Sequence, residues 1–247
     1  MYMYRSSLIL IAFALAFVSC SKELVVSEVE TRFWATIEPE VTVRSGAAEE
    51  ESVIADHAIL EIWMNGSRKV RQEKGMQPGA KRVAFDNVRL AGGQDYDVFV
   101  WVDCQGFYKT DDLRSVSLNS EKNYDGKTPG FDAFFAYKQI HSCQGGGVCN
   151  VVLKRPFARL NFSATVSSSA MIRFTAATTL DLKTGKVSGS KEFQYNMEPN
   201  DSGVVAFDYV FADESQSQMD YSFTLDGAQP ITVSIPIERN KITNIIK

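Results

Sequence analysis

"DYDVFVWVD", residues 95–103, decides the fold class. It is dense in β-branched and aromatic residues and apolar on both faces in its middle, a composition that favours strands. A central strand buried on both sides, or one leading into an interface, reads this way. Upstream, "TRFWATI" (31–37) alternates, placing Phe33, Ala35 and Ile37 on one face, and "EVTV" (40–43) continues after Pro39. "AILEIWM" (58–64) and "KRVAFDNVRL" (81–90) are further strand runs.

Downstream, residues 104–130 change character. "SLNSEKNYDGKTPG" (117–130) is polar and turn-rich, so a long loop is expected there. "FDAFFAYKQI" (131–140) returns to apolar residues, and "VCNVVLKRPFARLNFSATV" (148–166) predicts two strands parted by Pro156. Proline cannot donate to a ladder, so a seam is expected near residues 153–157. "AMIRFTA" (170–176), "TTLDLKTGKVSG" (178–189), "GVVAFDYVFA" (203–212), "MDYSFTL" (219–225), "ITVSIPI" (231–237) and "KITNII" (241–246) follow, with "KTG" and "LDG" as hairpin turns. No apolar pattern of period 3.6 persists over three turns. The expectation is an all-β chain of two stacked sandwich modules, residues 31–153 and 154–247.

The apolar run Leu8 to Val18 is too short to span a bilayer, which needs about 17–25 apolar residues. "MYMYR" precedes it, with Arg5 as the one positive side chain, which is the shape of a secretory signal over residues 1–19. "FVSC" (17–20) resembles the bacterial lipobox. That resemblance implies that Cys20 opens the mature chain and carries a diacylglycerol and an added acyl chain, with residues 20–30 as anchor linker. One acyl chain binds a membrane marginally, whereas two or three hold it stably.

The full chain has 247 residues, with 26 Lys and Arg against 30 Asp and Glu, for a net charge of −4. These charges are interspersed, and no basic patch points to nucleic acid. Export permits disulfides. Cys143 and Cys149 flank the flexible "QGGGV" and could pair; Cys104 bridged to either of them, and free thiols, are the alternatives. "CQGGGVC" is too widely spaced for a structural zinc pair, and His141 does not complete a ligand set.

His57 and His141 are the only histidines. "HSC" (141–143) offers a Cys–His pair no orienting partner. There is no G-x-S-x-G elbow, phosphate loop or dinucleotide fingerprint. Trp34, Trp63 and Trp101 fall inside expected strands, where packing is the default. Phe107 and Tyr108, in "CQGFYKTDDL" (104–113), are the aromatics available for a sugar-binding surface.

"FWATIEPEVTVRSG" (33–46), "DYDVFVWVD" (95–103), "FDAFFAY" (131–137), "LKRPFARLNF" (153–162) and "ITVSIPIERNKITNI" (231–245) together resemble the fimbrillin-like lipoproteins of Bacteroidales. The resemblance implies two tandem β-sandwich domains of transthyretin-like topology, no cofactor and no enzymatic activity. It implies a lipid-anchored outer-membrane precursor that is a fimbrial subunit or assembly partner, with other subunits and a host or bacterial surface ligand as partners. It also implies that an arginine-specific protease cuts after an arginine at or beyond the first strand, here "RFWATIEPEVTV" (32–43), whose loss opens a groove for a neighbour's strand. On this sequence the matching arginine is Arg44, in "TVRSG", with Arg32 a weaker second site. Main-chain hydrogen bonds and pockets for alternate side chains drive such strand addition. One departure is that the chain stops at "NIIK", where many relatives continue into another short strand. The rival expectation is a surface glycan- or protein-binding lipoprotein of the same fold that never polymerises.

Overall fold

The computed structural model describes residues 27–38, 53–142, 146–164, 169–197 and 204–247. The first strands are β1 (Glu28–Ile37), β2 (His57–Met64), β3 (Ser67–Gly75), β4 (Arg82–Ala91), β5 (Asp95–Asp103), β6 (Tyr108–Lys109), β7 (Ser115–Leu118), β8 (Phe134–His141) and β9 (Gly147–Leu153). Next come β10 (Phe157–Ser163), β11 (Ala170–Ala176), β12 (Thr179–Asp181), β13 (Val187–Ser188) and β14 (Lys191–Met197). β15 (Val204–Phe211), β16 (Ser217–Leu225), β17 (Ile231–Ile237) and β18 (Lys241–Ile246) complete them. Among the described residues no helix is long and apolar enough to cross a membrane.

Up to Leu153, a three-stranded sheet β4-β1-β9 packs against a four-stranded sheet β3-β2-β5-β8. From Phe157 the plan repeats: β15-β10-β18 packs against β14-β11-β16-β17. The middle strand of each three-stranded sheet is antiparallel to one neighbour and parallel to the other. β1 runs against β4 and with β9, just as β10 runs against β15 and with β18. Strand order corresponds sheet by sheet, so the two β-sandwiches share one topology.

Alternation explains both cores. Phe33, Leu60, Phe85, Val100 and Leu153 meet in the first, and Leu160, Phe162, Ile172, Phe174 and Tyr221 in the second. β5 lies between β2 and β8, and both of its faces are used. Val98, Val100 and Val102 enter the first core, while Phe99 and Trp101 enter a third cluster. That cluster joins Ile59, Trp63, Leu113 and Phe131 to Phe157, Leu180, Tyr209 and Phe211 of the second sandwich. The double-sided apolar pattern of residues 95–103 therefore marks a central strand that also builds the junction.

The expected long loop over 104–130 is corrected by the same junction. It contains β6, β7 and a 3-10 turn at Pro129–Phe131. β7 pairs with β12, Val116 opposite Leu180, to give a sheet β13-β12-β7-β6 drawn from both halves. Tyr108, Leu113 and Val116 are its buried anchors, set too far apart among polar residues to read as alternation. Glu61, fully buried, accepts from Arg68 at 2.7 Å, from Trp63 and from the Leu113 amide, and holds this segment in place. Lys183 reaches Asp97 at 2.7 Å across the junction.

The outer strands β3 and β14 also lay outside the expected set. β3, "SRKVRQEKG", is an exposed sheet edge whose charges discourage pairing with another chain.

Candidate strand-exchange site

The N-terminal strand occupies the middle of its sheet. Glu28 to Thr36 of β1 pair with Ala91 to Arg82 of β4, and Thr31 to Ile37 pair with Gly147 to Leu153 of β9. Val29, Thr31, Phe33, Ala35 and Ile37 are buried, and the residues between them face outward. Such a strand is tied on each side by main-chain bonds and keyed at every second position. Its removal would leave a slot with two unpaired ladders and a row of apolar pockets.

Local sequence explains how the slot is lined. The β1–β4 register shifts between Thr31 and Phe33, where Asn87 of β4 takes a left-handed φ of 57° and forms a bulge. On the outer face Arg32 pairs with Asp86, and the Arg82 guanidinium lies 3.8 Å from the Trp34 ring centre. Just ahead of β9, Gly146 lies beside Glu30 with a φ of 70°; a Cβ there would run into the Glu30 carbonyl oxygen. One glycine of "QGGGV" is thus required by close approach of the two strands. Beyond β1, the Glu38 amide donates to the Leu153 carbonyl at 3.0 Å. The outer face of β9 presents Val148 and Val152, among the most exposed large apolar side chains described.

The sequence-derived site residues fall in different places. Cys20, Arg44 and Cys143 lie outside the described residues. Arg32 sits mid-strand in β1, with its backbone in the ladders to both neighbours. The expected disulfide is not found: Cys104 and Cys149 are both free thiols, which also removes a bridge between them. The alternation of β9 turns Cys149 inward, where it packs against the first core and burial raises its pKa. Cys104 donates to the Ile54 carbonyl at 3.4 Å, and burial pushes its thiol up to about 11. Neither thiol is set up as a nucleophile at neutral pH.

The histidines are engaged by carboxylates. His57 contacts Asp103 at 3.1 Å through Nδ1 and Glu73 at 3.5 Å through Nε2. The Asp103 hydrogen bond, opposed by burial, raises the His57 pKa. His141 meets Asp95 at 2.8 Å on the surface. The aromatics proposed for sugar contact are committed to packing. Tyr108 is buried and its hydroxyl donates to the Phe131 carbonyl. Phe107 packs edge-on against Phe131 at 4.9 Å, with the Lys122 ammonium 4.9 Å from its ring centre. Among the described residues no group of three or more His, Cys, Asp or Glu side chains is placed to hold a metal ion.

A family model described as DUF6562, a family of unknown function, matches residues 22–246. The chain belongs to DUF6562. No curated protein matches this DUF6562 chain. Several solved structures resemble it. A candidate cell adhesion protein from Bacteroides ovatus aligns at 13% identity and a TM-score of 0.51, covering 89% of this chain and 92% of that one. A candidate polysaccharide-binding protein from Bacteroides thetaiotaomicron aligns at 11% and 0.55, covering 83% and 80%. The fimbrial anchor protein Mfa2 from Porphyromonas gingivalis aligns at 12% and 0.53, covering 79% and 78%. At these identities the DUF6562 chain shares a fold with them.

Proposed function

We propose that the protein is a lipid-anchored outer-membrane subunit of a surface fimbria, or a partner in its assembly, and that it polymerises or caps by strand insertion at the β1 slot. The single observation that carries this reading is the placement of β1: an N-terminal strand in the middle of a sheet, bonded on both sides and keyed at alternate positions. Cys20 supplies the lipid attachment and Arg44, six residues beyond Glu38, the cut that would release β1. Arg32 is the poorer cutting site, because a protease needs an extended, unpaired chain and Arg32 is held in two ladders. The named adhesive and fimbrial roles of the structural neighbours fit a surface location. On this reading the partners are outer-membrane lipid, other subunits and a surface ligand, and no enzymatic step is assigned to the chain.

The test is the intact mass and oligomer state of protein released from its native membrane, with and without Cys20→Ala. The proposal expects a lipidated precursor that Cys20→Ala abolishes, and a mature chain beginning at Ser45 in multimers. A single lipidated monomer beginning at Cys20 would retire processing and leave the rival, a non-polymerising surface-binding lipoprotein.

A further inference from the structure

We propose that the fold bears tension between its two ends, with β1 and β18 acting as shear clamps in series at opposite poles of the molecule. The clamps belong to the folded chain itself, whether or not a strand is exchanged, and arise from the parallel pairing of β1 with β9 and of β18 with β10.

β9 keeps pace with β1 from Gly147 opposite Thr31 to Leu153 opposite Ile37, and only residues 154–156 separate it from β10. β10 leaves the junction at Phe157, and β18 keeps pace with it from Lys241 opposite Ala158 to Ile246 opposite Ser163. Glu28 therefore lies at the pole of the first sandwich away from the junction. Ile246 lies at the far pole of the second.

A pull on these poles draws β1 toward its own start and β9 toward its end. Because the two strands are parallel, those directions are opposed along one row of hydrogen bonds. The bonds are loaded together, not one after another. The same holds for β10, drawn toward its start, and β18, drawn toward its end. An antiparallel terminal hairpin pulled at its two ends would unzip pair by pair.

The link between the clamps is braced. Arg155 donates to both carboxylate oxygens of Asp132, at 2.7 and 2.8 Å, with both side chains buried. Lys154 exchanges backbone bonds with Phe135 of β8 at 2.9 and 3.0 Å. Load leaving β9 is thus shared with the four-stranded sheet before it reaches β10. The clamps are unequal, since β1 has ladders to both β4 and β9, while among the described residues β18 is an outer strand whose ladder is to β10, with the Thr243 hydroxyl also donating to the Pro236 carbonyl of β17 at 2.6 Å. The row on β18 runs from the Asn240 amide on the Phe157 carbonyl, at 2.7 Å, to the Lys247 amide on the Ser163 carbonyl, at 2.9 Å. β18 is the first strand to give way.

Pulling direction tests this without altering the core. In one single-molecule experiment the protein carries handles ahead of Glu28 and after Lys247. In the other, one handle is placed in the Asp226–Gly227 turn and the second stays after Lys247. That turn sits at the same pole as Ile246, because the Asp226 amide donates to the Ser169 carbonyl beside the start of β11. Same-pole pulling peels β18 from its end. At equal loading rate the end-to-end rupture force should exceed the same-pole force at least about twofold, because a sheared row fails together. Equal forces, or a lower end-to-end force, would overturn the proposal.

Discussion

Replacing Phe33 by alanine tests whether β1 is seated by its alternate side chains. Phe33 is fully buried, opposite Phe85 on β4 and Cys149 on β9, and reaches the first core. A phenylalanine-to-alanine change in a packed core costs about 3–5 kcal/mol, through lost transfer energy and the cavity left behind. For a chain of this size each kcal/mol moves the midpoint by about 2–4 °C, so Phe33→Ala should lower Tm by about 6–20 °C. Trp34, the next residue, is larger but lies on the outer face under Arg82. Trp34→Ala removes mainly that stacking and should cost about 1 kcal/mol. Thermal unfolding followed by circular dichroism on both variants gives the comparison. Equal losses, or a greater loss from Trp34→Ala, would refute the account of how the strand is keyed into its slot.

Three further outcomes are expected. His57 has a raised pKa in the folded chain, so its stabilisation is complete below about pH 6.5 and is lost as pH rises through the folded value; His57→Gln should flatten that decline in urea titrations. Asp208 is buried, accepts from the Tyr195 hydroxyl, and is pushed up to about 7 by burial. Stability from this neutral acid is present below about pH 4 and declines by at most about 4 kcal/mol on the way to pH 7, a slope Asp208→Asn should remove. An acid carbonyl stretch in the infrared at pH 5, absent in that variant, is the direct check. Gly146→Ala should cost at least about 1 kcal/mol, because it forces a side chain into left-handed backbone against Glu30, and hydrogen exchange should quicken at the start of β9.

Where composition and alternation act over a whole strand, the sequence is a reliable guide here. Residues 31–37 place Phe33, Ala35 and Ile37 inward as their spacing predicts. The double-sided apolar run of β5 is used on both faces, one in the first core and one in the junction. The "LDG" turn joins β16 to β17 with left-handed φ values of 50° at Asp226 and 72° at Gly227. What could not be read depends on partners distant in sequence. β6 and β7 are too short and polar to announce themselves, and β7 exists because β12 lies beside it. β3 and β14 are edges with polar outer faces, so their apolar signal is diluted. At the candidate site the inward face of β1 was legible, but its central position was not, since nothing in residues 28–37 specifies that β9 will come alongside in parallel. Gly146 belonged to a visible glycine run, and only the approach of Glu30 explains why glycine is needed. The cysteine spacing suggested a bridge, but the alternation of β9 directs Cys149 into the core.

The central claim, that the β1 slot accepts a strand from outside, can be measured by exchange. The protein is cut after Arg44 with an arginine-specific protease, and a labelled peptide of residues 27–38 is offered to cut and uncut protein. Native mass spectrometry reads its uptake. The account predicts uptake by the cut protein alone, with a Phe33→Ala peptide binding at least about 100-fold more weakly, the equivalent of about 3 kcal/mol. No uptake by the cut protein, or equal binding of the two peptides, would contradict it.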